Sequence, residues 1–204
     1  MNKSLLDELM KGAVEKGDVH GVAAIVSNDK ETIYKAGFGI SGTDKCQGMT
    51  ADTVIWIASM TKAITTTAAM QLVERGYLTL DKPASRILPQ LKSIKVLEGF
   101  DENSIPKLRP PKSDITLRQL LTHTAGFGYD VWHKPIKDFI KSRNIPSRSS
   151  GSPEALLTPL MFDPGTSWAY SIAIDWVGLM IEEITKQKLG CLLYTSPSPR
   201  DSDS

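Results

Sequence analysis

Ile57-Ala58-Ser59-Met60-Thr61-Lys62 is the stretch on which the reading of this chain turns, because Ser59 and Lys62 form an S-x-x-K tetrad at the start of a helical pattern. On a helix the i and i+3 positions share a face, so the hydroxyl and the ammonium lie one above the other. Taken alone, the tetrad equally describes a serine N-cap. A structural capping box, however, places Glu or Gln three residues after the Ser. Here Lys62 puts a positive charge where the helix dipole already disfavours one. Burial and the dipole would both push such a lysine toward its neutral form, the form a general base for a serine hydroxyl requires.

The pattern runs outward from this tetrad in both directions. Downstream it stays helical to Arg75, with Ile64, Ala68, Leu72 and Val73 on related faces and Gly76 as terminator. Upstream, Thr53-Val54-Ile55-Trp56-Ile57 is a short apolar run leading into Ala58. Before it, Val22–Val26 and Thr32–Ala36 flank the polar Asn28-Asp29-Lys30 and predict a β-hairpin. Leu5, Leu6, Leu9, Met10 and Ala13 predict an amphipathic opening helix that ends near Gly17.

The five prolines between residues 83 and 115 leave room for short helices but not long strands. Thr116 precedes a short helix over Leu117–Leu121, with Asp114 or Thr116 as its cap. Pro153 opens a helix predicted to reach Met161. The last strong element follows Tyr170 and runs to Lys188, with Trp176, Val177, Met180, Ile181 and Ile184 as its apolar face. From Cys191 to Ser204 the chain is Ser/Pro-rich without periodicity. It reads as a non-native stretch or a disordered tail.

Four ordered segments resemble the class C β-lactamases and their carboxylesterase relatives, within the β-lactamase and penicillin-binding-protein superfamily. They are the tetrad; Leu72–Pro83; Leu120-Leu121-Thr122-His123-Thr124-Ala125-Gly126; and Pro164-Gly165 with Tyr170-Ser171. Together they cover most of residues 20 to 190. The resemblance implies an α+β, transpeptidase-like fold, an antiparallel sheet flanked by helices plus a mostly helical domain, with the site between them. On this chain that gives residues 1–58 as helix and strands of the α/β domain, 59–190 as nucleophile helix and helical domain, and 191–204 as the tail. The resemblance also implies that Ser59 is the nucleophile of an acyl-enzyme, that Lys62 and Tyr170 are its bases, and that the Ser59 N–H is one oxyanion donor.

The chain departs from the family pattern twice. Where β-lactamases and peptidases carry Tyr-x-Asn, it has Tyr170-Ser171-Ile172, which removes an amide that would contact an amide substrate and favours esters. The late K-T-G-like or H-x-G-like strand appears nowhere before Gly190, so the site is expected to be incomplete at the C-terminal end. Ile172 is assigned with Trp132 and Trp168 to substrate binding, although a core or rim role suits the two aromatics equally well. The expected activity is a serine carboxylesterase. The alternatives are a β-lactamase or D-amino-acid peptidase, an acyltransferase to an alcohol other than water, or an inactive fragment or binding module.

Composition sets the remaining bounds. The 204 residues, 41% hydrophobic and 23% charged, fit a globular protein of one or two domains. The 24 basic and 23 acidic residues leave a formal charge of +1, which offers no footprint for nucleic acid or an anionic membrane and suits a small-molecule ester or acyl substrate. Asp7 and Glu8 break the apolar N-terminus, so the expectation is a cytoplasmic chain. Cys46 and Cys191 are too few for a disulfide framework, and His20, His123 and His133 lack ligand spacing, so neither metal nor cofactor is assigned. His123 is read as supporting a loop through packing or a hydrogen bond. Gly37-Phe38-Gly39-Ile40-Ser41-Gly42 matches G-x-G-x-x-G, but Thr43–Gly48 carries no helical period, so it reads as a strand exit.

Overall fold

A computed structural model describes residues 2–42 and 47–195 of the chain, which divides into two compact units between Ile57 and Ala58. In the first unit, helix α1 (Lys3–Glu15) is capped by Asn2, whose side chain accepts the Leu5 N–H at 3.3 Å. It packs on an antiparallel hairpin of β1 (Gly21–Ser27) and β2 (Thr32–Gly39). The turn forms where its sequence predicts, because the Asn28 carboxamide accepts both the Lys30 and Glu31 N–H groups, at 2.9 and 2.7 Å. Tyr34, buried in β2, donates its hydroxyl to Asp7 of α1 at 2.5 Å; burial first, and then Asp7, push that phenol up to about 12.

The glycines at the end of β2 serve backbone crossings. A Cβ at Gly37 would lie 2.6 Å from the Met49 carbonyl oxygen, and one at Gly39, whose φ is +83°, would lie 2.3 Å from that of His20. This is the strand exit expected of the G-x-G-x-x-G match; Thr43, Asp44, Lys45 and Cys46 fall outside the described residues. The Thr53–Ile57 run pairs with no strand, and Val54 and Trp56 are 97% and 94% exposed.

The second unit is mostly helical. Ala58–Met60 forms a 3₁₀ turn that enters α2 (Thr61–Glu74), and Gly76 at φ +78° closes the helix as its sequence predicts. The face α2 buries is Thr65, Ala69 and Leu72, whereas Ile64 is exposed. Two short strands, β3 (Val96–Phe100) and β4 (Pro106–Arg109), pair within the proline-rich segment. α3 (Leu117–Leu121) starts on a complete capping box: the Thr116 hydroxyl accepts the Gln119 N–H, and the Gln119 carboxamide accepts the Thr116 N–H. α4 (Lys134–Arg143) follows, ending at Asn144 in the left-handed region.

The helix predicted from Pro153 to Met161 is instead a 3₁₀ turn over Pro153–Leu156. Pro159 has no N–H to continue it. Leu160 instead exchanges backbone hydrogen bonds with Lys95 and Leu97, both at 2.8 Å, and forms a bridge to Val96. α5 (Ala173–Thr185) is shorter than predicted because Lys186 adopts φ +56° and stops it. Residues 189–195 then form α6 (Leu189–Thr195), which takes in the first residues of the stretch read from Cys191 as a non-native or disordered tail. Leu189 and Leu192, on one side of this turn, pack against the core. Residues 196–204 of the expected tail lie outside the described residues.

The core sits where α2, α3 and α5 meet, around fully buried Trp176, Leu117, Leu120 and Phe127, with the Phe127 ring stacked on Trp176 at 6.0 Å. Among the described residues no helix is long and apolar enough to cross a membrane.

Candidate active site

Ser59 lies on the exposed 3₁₀ turn, directly after Ala58, which is held at φ +45°. A non-glycine residue in that region is strained, and such strain concentrates at working sites. The N-cap of α2 is Met60, with no side-chain capping bond, so Ser59 does not serve as the cap. Its Oγ instead accepts a hydrogen bond from Lys62 Nζ at 3.2 Å.

Two tyrosines close over the lysine. Lys62 Nζ is 5.0 Å from the Tyr170 ring centroid and 5.8 Å from that of Tyr129, and the two rings are 5.5 Å apart. Burial pulls Lys62 down, as its sequence position predicts. Hydrogen bonding to Tyr170 and Tyr129 outweighs it, and the ammonium ends above its ordinary value. The expectation of a neutral lysine is therefore corrected, for a physical reason: its partners are hydroxyls that stabilise the cation. Tyr170 moves the other way, pulled below the usual phenol value first by the Ser59 hydroxyl and then, against burial, by Lys62. Tyr129, buried, is raised by its burial despite Lys62. Tyr170 thus presents a lowered phenol to Ser59, with the Lys62 ammonium beside it.

The loops that present these tyrosines are each fastened by a histidine. His133 Nδ1 accepts the Tyr129 N–H at 3.1 Å. His123 Nδ1 accepts the N–H of Ser171, the neighbour of Tyr170, at 3.3 Å, a loop hydrogen bond of the kind expected of it.

A cleft of about 640 Å³ opens beside Lys62, with Ala58, Thr65, Tyr129, Arg148, Ile172 and Asp175 in its lining. Asp175, in the first turn of α5, has its carboxyl raised by desolvation, which Lys62 and Arg148 oppose. Of the three residues assigned to substrate binding, Ile172 does line the cleft, yet it is only 2% exposed and belongs to the core. Trp132 and Trp168 are outside the cleft lining and mostly exposed. Trp132 packs against Tyr129 and Tyr170 at 5.4 and 5.5 Å, and Trp168 lies edge-on to His123 at 6.5 Å. Tyr129 and Asp175 are the site groups that sequence reading missed. Among the described residues no three His, Cys, Asp or Glu side chains converge as a metal site would need.

Comparison with known proteins places the chain in a family. The chain is 35% identical over 187 residues to acyltransferase mokF of Monascus pilosus, covering 88% of this chain and 45% of that protein. It is also 35% identical over 188 residues to the lovastatin esterase of Penicillium rubens, covering 88% and 46%. Among solved structures, unliganded simvastatin synthase from Aspergillus terreus superposes with a TM-score of 0.80 at 31% identity, over 94% of this chain and 50% of that one. The chain spans about half the length of these relatives. Its fold is the α+β fold of the β-lactamase and transpeptidase proteins. Residues 6–196 match the family model described as Beta-lactamase, and the chain belongs to that family.

Proposed function

We propose that the protein is a serine carboxylesterase that works through an acyl-enzyme on Ser59. The observation that carries this is the contact of Lys62 Nζ with Ser59 Oγ at 3.2 Å, beside a Tyr170 phenol that Ser59 and Lys62 hold below its ordinary value. Tyr170 in its phenolate form takes the Ser59 proton as Oγ bonds to the ester carbonyl carbon, and the carbonyl electron pair moves to its oxygen. In this reading the Ser59 N–H at the helix start donates to that oxyanion. The Lys62 ammonium, held charged by two hydroxyls, offsets the negative charge that passes between Ser59 and Tyr170. The tetrahedral intermediate collapses, the C–O bond to the leaving alcohol breaks, and the alcohol departs with the proton from Tyr170. Water then attacks the acyl group by the same steps in reverse.

An acceptor alcohol in place of water turns the same intermediate into a transferase. That second reading is favoured by the relatives, whose names include both an acyltransferase and an esterase. The substrate is a small-molecule ester. Esters are favoured over β-lactams and peptides because the position after Tyr170-Ser171 is filled by the core residue Ile172, which leaves no carboxamide there to contact a substrate amide.

Turnover of short p-nitrophenyl esters and of nitrocefin, each with and without an added alcohol, tests the reading. Esters are expected to be cleaved faster, with part of the acyl group appearing on the alcohol. Faster turnover of nitrocefin than of every ester tried would overturn it.

A further inference from the structure

His123 is strained where it sits. Its φ of +57° places it in the left-handed region, which histidine enters more readily than most side chains but still at a cost. Three of the contacts that hold it there are made to Tyr170 or its two neighbours. On one side, the His123 carbonyl accepts the Ala169 N–H at 3.0 Å. On the other, Nδ1 accepts the Ser171 N–H at 3.3 Å and lies 3.2 Å from the Ser171 hydroxyl. Between these, the imidazole packs on the Tyr170 ring at 4.8 Å.

Ser171 is 1% exposed, and its hydroxyl also accepts the N–H of Ala173, the first residue of α5. The clamp is therefore tied to the core helix. An Nδ1 that accepts an N–H carries no proton, so the ring is neutral with its proton on Nε2. Burial first, and then the charge of Lys62, hold the imidazole neutral.

We propose that His123 is a positioning residue for acyl transfer: it grips the backbone on both sides of Tyr170 and packs on the phenol ring, which keeps the hydroxyl aimed at Ser59 and Lys62. The inference rests on the reading that Ser59 and Tyr170 carry the chemistry. It adds a group that never touches substrate but sets how often the phenol is in line.

The test compares His123→Ala with His123→Asn. Asn tolerates the left-handed backbone, and its Oδ1 is borne on Cγ as Nδ1 is in histidine, so it restores the acceptor without the ring. For His123→Ala, kcat for a p-nitrophenyl ester is expected to fall about a hundred-fold with KM little changed, as a misaimed catalytic group costs. The rate of fluorophosphonate labelling at Ser59 should fall in parallel, and His123→Asn should recover about tenfold of the loss. A folded His123→Ala protein that labels at the wild-type rate would overturn the proposal, as would equal rates for the Ala and Asn variants. Should His123→Ala fail to fold, Ser171→Ala decides. The clamp predicts a lower kcat at unchanged KM, and an unchanged kcat contradicts it. Failure of wild-type Ser59 to label at all counts instead against the acyl-enzyme reading, so the two failures are distinct.

Discussion

Ile172→Asn restores the residue that amide-cleaving members of the family carry, and the structure makes its consequence calculable. Ile172 precedes α5 at its N-cap, 2% exposed, among the core residues that include Ala173 and Trp176. Removing a fully buried Ile forfeits about 1.5–3 kcal/mol of apolar burial. Leaving a carboxamide without partners in its place costs about 1–3 kcal/mol more. The sum is about 2.5–6 kcal/mol, a large share of the stability of a small domain. Ile172→Val, which removes one methyl group, should cost only about 0.5–1.5 kcal/mol. Urea unfolding of the three proteins measures this, as a fall in midpoint with an unchanged slope. The proposed ester preference therefore cannot be reversed at this position without damage to the core. An Ile172→Asn protein with wild-type stability and faster nitrocefin turnover would refute the argument, because residue 172 would then face substrate rather than the core.

Two further outcomes follow from the charges. Lys62→Met removes a cation that lowers the Tyr170 phenol, so the rise of kcat with pH should move to higher pH; an unmoved profile of reduced height would contradict the pairing. Asp163 receives two guanidinium bonds from Arg109 at 2.8 and 2.9 Å and the Lys112 N–H at 2.9 Å, which hold its carboxyl at about 2, below the ordinary 3.8. A depressed folded value means the unfolded chain takes up the proton first. The stabilisation is thus complete above pH 3.8 and lost as pH falls toward 2, and Asp163→Asn should flatten stability against pH across that window.

Much of the fold was legible because local chemistry decides it. Asn28 makes its own turn, Gly76 ends α2, and Thr116 with Gln119 starts α3, all within a few residues of chain. The helix expected after Pro153 stops at Leu156 because Pro159 cannot continue it, an effect that is local too. α6 was missed because its support is tertiary, the seating of Leu189 and Leu192 on a core that Ser/Pro-rich composition does not advertise. In the site, the spacing of Ser59 and Lys62 foretold their contact. The charge state of Lys62 was not legible, since it depends on hydroxyls delivered by two distant loops. Tyr129 had no spacing rule to expose it, although it lies only three residues beyond Gly126, the end of a family segment.

The acyl-enzyme on Ser59 is the claim on which the rest depends. Treatment of the protein with a fluorophosphonate, followed by intact mass and peptide mapping, measures it directly. A single adduct is predicted, on Ser59, absent from Ser59→Ala and slowed in Tyr170→Phe by about a hundred-fold or more, as loss of a positioned proton acceptor would produce. An adduct on another serine, or none in a preparation that turns over esters, would contradict the account.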